Sequence, residues 1–171
     1  MQRCHLPSTA TIATILAVAA PVCLAGQRPD SSKRGRTAVA RADSASRRFD
    51  RLGMQVFDAE WQAYLVAGDR FYADPEYAEG VQQKFFQSSV FLLRLAVAAD
   101  SINASAEYHL GQVLARKSYL GFGTWNTDTL NVAVEHLARA ERLAIAAYAS
   151  LKPNIEKALR RERESLDSLR R

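Results

Sequence analysis

Two histidines are the first side chains in this sequence to suggest chemistry. His109 and His136 lie 14 and 13 residues from Gly123, on opposite sides of it. If the chain turns back near that glycine, the two stand at similar height, with Glu107 and Glu135 close by. Two imidazoles and a carboxylate can hold a divalent metal. The competing reading is two histidines at the solvent edge of a helix pair, each followed by an inward leucine (Leu110, Leu137). That plainer reading is the expected one, and no metal site is assigned. Six carboxylates, Asp58, Glu60, Asp69, Asp74, Glu76 and Glu79, also gather in sequence. Acid–base work by such groups needs a cleft and a shifted pKa, so a solvated acidic face is expected. The chain holds no HExxH, no glycine-rich phosphate loop and no GxSxG. Those spacings carry metalloprotease, nucleotide and hydrolase chemistry. The expectation is a protein that is not an enzyme and uses no cofactor.

The two cysteines, Cys4 and Cys23, raise a separate question. Residues 4–27 contain no Lys, Arg, Asp or Glu. Arg3 is followed by an apolar run from Thr11 to Val22, then Cys23-Leu24-Ala25-Gly26. A basic start, an apolar run of about 7–15 residues and small residues before a cut describe a secretory signal peptide. The predicted cut follows Ala25, making residues 1–25 the signal. The run is shorter and richer in Thr and Pro than the roughly 20 apolar residues of a membrane span. Two alternatives stay open: lipidation of Cys23, which Pro21 and Val22 fit poorly, and retention as an N-terminal anchor. Cleavage removes both cysteines. With them go disulfides, thiolate nucleophiles, Cys-ligated zinc, iron–sulfur clusters and CxxCH haem attachment. The predicted location is outside the cytosol, periplasmic or secreted.

The chain carries 23 basic and 18 acidic residues, a net charge of +5. The charge is uneven: +5 over residues 26–51, −4 over 52–130 and +3 over 131–171. Residues 26–37, with the run RPDSSKRGR, read as a disordered basic leader. Such a leader can associate weakly with an anionic membrane surface. It has no interleaved aromatic to stack on bases, and export argues against a nucleic-acid partner. Residues 38–171 are expected to form a single all-helical domain, long enough to build a core without disulfides.

Five helices can be read in that domain. The first spans about Val39–Tyr72, with a bend allowed at Gly53. Its Phe57, Trp61, Tyr64, Gly68 and Phe71 follow steps of 4, 3, 4 and 3. Asp74-Pro75-Glu76 carries an N-cap, an N1 proline and a first-turn acid, and predicts the start of the second helix, which runs to about Ala99. Val81, Phe85 and Leu92 form one stripe on it and Phe86, Val90, Leu93 and Val97 another, which predicts the central element of the core. The third covers about Asn103–Lys117 with Ala106, Leu110 and Val113 inward. The fourth starts near Asp128 with Leu130, Ala133, Leu137, Ala140, Ala144 and Tyr148 inward. The fifth runs from Pro153 almost to Arg171, charged except for Ile155, Leu159, Leu166 and Leu169; Glu162 interrupts its stripe. No segment shows strand alternation.

Helices one and two, and three and four, form similar pairs. The first pair holds Tyr64-x2-Ala67-Gly68-x2-Phe71 and then Ser89-x3-Leu93-x2-Ala96. The second holds Glu107-x2-Leu110-Gly111-x2-Leu114 and then Ala133-x3-Leu137-x2-Ala140. At these residues the chain, over about 60–150, resembles the tetratricopeptide repeat. That family places a large residue and Leu-Gly on one helix and small-x3-large-x2-small on the next. The spacing departs from it: Gly68 to Gly111 is 43 residues and Ala96 to Ala140 is 44, against 34 for the repeat. Glu107 stands where the family has Trp, and no proline closes either pair. The resemblance implies two antiparallel helical hairpins with the fifth helix as a cap, since two hairpins alone are few for a solenoid. An unrelated antiparallel bundle remains the rival.

The connection Ser118–Thr127 is long for a helix–helix loop. It carries Tyr119, Leu120, Phe122 and Trp125 with two glycines. It either tucks against the hairpin or forms a contact surface. The resemblance implies that a protein or peptide partner is held in a groove lined by the first helix of each pair. The candidate binding residues are therefore Tyr119, Phe122 and Trp125 of the loop with Arg70, Gln112 and Arg116. The expected function is an exported, non-catalytic interaction module. The alternative is a helical bundle that holds a small apolar ligand or lipid in an enclosed cavity.

Overall fold

The computed structural model describes residues 31–73, 84–121, 124–144 and 148–171; the side chains of residues 31–39, 69–73, 120, 121 and 124 lie outside that description. Outside it too are the expected signal peptide with Cys4 and Cys23, and the helix start at Asp74-Pro75-Glu76. Five helices occur among the described residues: α1 (Ser31–Ala73), α2 (Gln87–Ala99), α3 (Ala104–Ser118), α4 (Thr127–Leu143) and α5 (Lys152–Leu169). The fold is all-α. A ribbon of two short antiparallel strands, β1 (Tyr119–Gly121) and β2 (Thr124–Trp125), lies between α3 and α4 and pairs Tyr119 with Trp125. The strand-free expectation misses it because the signal is one aromatic cross-strand pair, too short to alternate.

The helix starts follow local chemistry. Asn103 caps α3: its Oδ1 accepts from the Ser105 and Ala106 N–H groups at 3.0 and 3.2 Å. Asn126 caps α4 by accepting from the Thr129 N–H at 2.9 Å. Proline stands in the first turn of α5. At the other end of the chain α1 begins at Ser31, so residues 31–37 of the expected disordered leader are helical. That stretch is rich in Lys and Arg, which favour helix, and its one glycine costs only about 1 kcal/mol against an already nucleated helix. α2 begins at Gln87, later than its sequence signal predicts. Residues 84–86 form a turn, and Phe86 sits at φ 63, ψ 12 in the left-handed region. An L side chain there costs about 1–2 kcal/mol. The ring is 3% exposed and meets Phe57 at 5.4 Å and Tyr64 at 5.9 Å, contacts that offset the strain.

α1 and α2 run antiparallel: Ser46 meets Ala96, Glu60 meets Ser89 and Tyr64 meets Phe85. α3 and α4 do the same, with Glu107 beside Arg139 and Ser118 bonded to Asn126. α5 lies on α4, and Arg170 near its end reaches Asn131 near the start of α4. α1 and α3 run parallel, Ser46 beside Asn103 and Trp61 beside Arg116.

Close approach within each antiparallel pair depends on a glycine, but not the pair of glycines the repeat alignment selects. A Cβ on Gly111 would stand 2.7 Å from Leu137 Cγ, and one on Gly53 would stand 2.7 Å from Leu93 Cγ. A Cβ on Gly68 would meet nothing within 4 Å. Gly53, expected only to permit a bend, is the counterpart of Gly111, and Leu52-Gly53 is the counterpart of Leu110-Gly111.

The core has two parts. One joins Phe86, Val90 and Leu93 of α2 with Leu110, Val113 and Leu114 of α3 and Leu130 of α4, covered by Phe57, Trp61 and Tyr64. The other joins Tyr108 and Leu137 with Ile155, Ala158 and Leu159 of α5. Ten of the fifteen residues of α3 are buried, against four of thirteen in α2. α3, not α2, is therefore the central element. It touches α1, α2, α4 and α5, whereas Phe91 of α2 faces water.

Candidate functional site

The loop residues divide in two. Trp125 is half-buried and packs on the first core cluster. Tyr119 is 38% exposed and leans edge-on against it, ring centroids 5.0 Å apart. Together with Ala115 and Arg116 of α3 and Arg161, Glu162 and Ser165 of α5 they line an open groove of about 360 Å³. Arg116 is exposed, and its guanidinium lies 4.9 Å from the ring centre of Trp61. That cation–π contact holds the charge at the groove wall without neutralising it. Arg161 Nε donates to Glu162 Oε1 at 2.6 Å, and Glu162 is 3% exposed. The carboxylate that interrupts the α5 stripe is thus an anchor for an arginine.

Three of the six predicted binding residues, Tyr119, Trp125 and Arg116, meet at this groove. Gln112 does not take part: it is half-buried and its Nε2 donates to Tyr108 Oη at 2.7 Å. The Arg70 side chain and Phe122 lie outside the described residues. Arg161, Glu162 and Ser165 were not among the candidates, because nothing in the α5 pattern says which of its faces meets a loop some forty residues earlier.

The two histidines do not share a site. His136 Nδ1 donates to Glu107 Oε2 at 2.6 Å, while His109 Nδ1 donates to Asp50 Oδ1 at 2.8 Å. Glu107 is fully buried. Arg139 Nε stands 2.9 Å from its Oε1, close enough to balance the charge, though that oxygen receives no directed hydrogen bond. No cluster of His, Cys, Asp and Glu able to hold a metal occurs among the described residues.

Ser105, His109 and Asp50 do come together, as a relay of nucleophile, base and acid would require, but in the wrong order. Ser105 Oγ donates to Asp50 Oδ2 at 2.8 Å and lies 3.5 Å from His109 Nδ1, the nitrogen already facing Asp50. A relay needs the hydroxyl on one imidazole nitrogen and the carboxylate on the other. This cluster instead ties α1 to α3. Among the acidic run, Glu60 accepts from Ser89 Oγ at 2.6 Å and the Ser88 N–H at 3.3 Å, which joins α1 to the start of α2. Lys117 donates to the Phe85 carbonyl at 3.1 Å. Burial lowers its pKa, with Glu60 opposing and Arg94 adding to the shift.

No helix among the described residues is long and apolar enough to cross a membrane. The chain matches no protein-family model, no characterised protein and no solved structure.

Proposed function

We propose that the protein is an exported, non-catalytic helical module that binds an extended segment of a protein partner. The single observation that carries this is the groove where Trp125 and Tyr119 supply apolar, hydrogen-bonding area beside the guanidinium of Arg116. Aromatic residues and arginine dominate binding energy at protein interfaces. The groove is open rather than enclosed, which favours an extended peptide over a small apolar ligand sealed between helices. The sequence of residues 1–25 supports export. The antiparallel α1–α2 and α3–α4 pairs support a likeness to tetratricopeptide hairpins, with Gly111 at its expected crossing and Gly53 taking the place of Gly68.

The test is a photo-crosslinking amino acid at position 119, compared between wild type and an Arg116→Glu chain, in cells and in the purified envelope fraction. Expected is a discrete crosslinked partner that the variant loses while its melting temperature stays within a few degrees of wild type, since Arg116 is exposed. Crosslinks that persist in the variant, or their loss only alongside a collapsed melting temperature, refute the reading.

A further inference from the structure

α1 carries two stripes, and its own fold uses one of them. The residues that face α2 and α3 include the hydrogen-bonded Ser46, Asp50 and Glu60 and the apolar Phe57, Trp61 and Tyr64. A second stripe reads Ala42, Ala45, Phe49, Leu52, Val56, Ala59, Ala63, Val66. Its steps are 3, 4, 3, 4, 3, 4, 3, and every position is apolar. Leu52 is 41% and Val66 83% exposed, Ala59 and Ala63 are exposed, and the other four are half-buried. A strict 3.5-residue period over more than three heptads is the seam of a coiled coil, not the drifting 3.6-residue face that packs on a globular core.

We infer that this stripe pairs with itself: two copies of the chain associate through α1 as an antiparallel two-helix coiled coil, with the twofold axis crossing the seam at the height of Met54. The residues decide the occupant and the direction. In that register Phe49 faces Ala59 of the second copy, Val66 faces Ala42, Leu52 faces Val56, and Ala45 faces Ala63. The bulkiest side chain thus meets a methyl group, and so does the end residue Val66, as close packing of facing positions requires. The flanking charges agree. Arg41 and Arg48 border one end of the stripe and Gln55 and Gln62 the other. Antiparallel pairing sets arginine against glutamine and keeps the two arginine-bordered ends apart. The seam runs about 36 Å along the helix. With a strip about 10 Å wide, it covers on the order of 400 Å² of projected face per copy, the class of reversible rather than obligate dimers.

The experiment is sedimentation equilibrium of the full chain at about 100 μM, a concentration at which a micromolar dimer is filled. The expected mass is twice that of one chain. Leu52→Arg and Val66→Arg replace exposed side chains, so helicity and melting temperature of the monomer should hold while association weakens at least about 100-fold. Direction is read by spin-label distances in a chain with Cys4→Ser and Cys23→Ser. Labels at Gln55→Cys should lie close together, offset by only about 3 Å along the axis, and labels at Arg41→Cys should be offset by about 39 Å. A monomer at that concentration overturns the inference. So does a dimer that both arginine variants leave intact, or a pair of equal label separations, which would mean parallel helices.

Discussion

The sharpest test of the architecture is a single methyl group. Gly111→Ala places a Cβ 2.7 Å from Leu137 Cγ, 3.0 Å from its Cδ2 and 3.1 Å from the Ala133 carbonyl oxygen. Leu137 is fully buried, so it has little room to turn, and the backbone oxygen of α4 cannot move without moving the helix. Overpacking of this kind costs about 1–3 kcal/mol, and the gain in helix propensity from Gly to Ala returns up to about 1 kcal/mol. The net expectation is a loss of about 1–2 kcal/mol, or roughly 3–8 °C in melting temperature for a domain of this size. Gly53→Ala should behave alike, since its Cβ would meet Leu93 Cγ at 2.7 Å and Cδ2 at 2.9 Å. Gly68→Ala has open space and should stabilise by about 0.5–1 kcal/mol. Thermal unfolding followed by circular dichroism reads all three. A coupling cycle with Leu137→Ala isolates the cause: in that background Gly111→Ala should become neutral or stabilising, because the side chain it strikes is gone. A Gly111→Ala chain that melts at or above wild type, or a Gly68→Ala chain that falls as far as the other two, would refute these crossings.

Three other expectations concern buried polar groups. His136→Ala should cost about 1–3 kcal/mol in urea unfolding, since it strips a hydrogen bond from a fully buried carboxylate. Arg139→Ala should cost less, its guanidinium being half exposed and off line; equal costs would mean that the ion pair carries Glu107. Asn103→Ala should cost about 1–2 kcal/mol, because it removes the cap of α3 and, with it, the donor to Ser46 Oγ at 2.9 Å; calorimetry that shows no loss would remove this contact from the account of the α1–α3 pairing. Burial raises the Tyr108 phenol above its ordinary pKa of about 10, with Arg161 opposing, and burial likewise raises Tyr148. Above pH 10 the unfolded chain therefore loses these protons first, the folded chain holds more, and stability falls as pH rises. Melting temperatures from pH 9 to 11 should drop less in the Tyr108→Phe, Tyr148→Phe chain than in wild type; parallel curves would refute it.

The starts of α3, α4 and α5 were legible because their signals are local: an asparagine cap or a first-turn proline needs only its own turn. The inward leucines of α3 and α4 were legible for the same reason, since a helical period reports a face. What could not be read was which glycine lies at a crossing. Leu52-Gly53 and Ala67-Gly68 look alike in sequence, and only the arrival of Leu93 from the next helix tells them apart. Burial of Glu107 was hidden likewise. A carboxylate goes inside only with compensating partners, and His136 and Arg139 stand 29 and 32 residues away. At the groove, Trp125 announced itself by residue type, and Arg116 came from the resemblance, which puts it on the first helix of a pair. Arg161 did not, because its place depends on how α5 lies across α4.

The junction between α1 and α3 carries directional bonds as well as apolar contact. Asn103 Nδ2 donates to Ser46 Oγ, which donates in turn to the Ala96 carbonyl, and Asp50 takes both Ser105 and His109. Oily surfaces tolerate sliding and swivelling; a chain of donors and acceptors has one alignment. Turning the long helix by a single residue swings it about 100° and parts every one of these bonds at once. A few small polar groups in the interior therefore act as an indexing pin, which decides which flank of a 43-residue rod is offered to the outside.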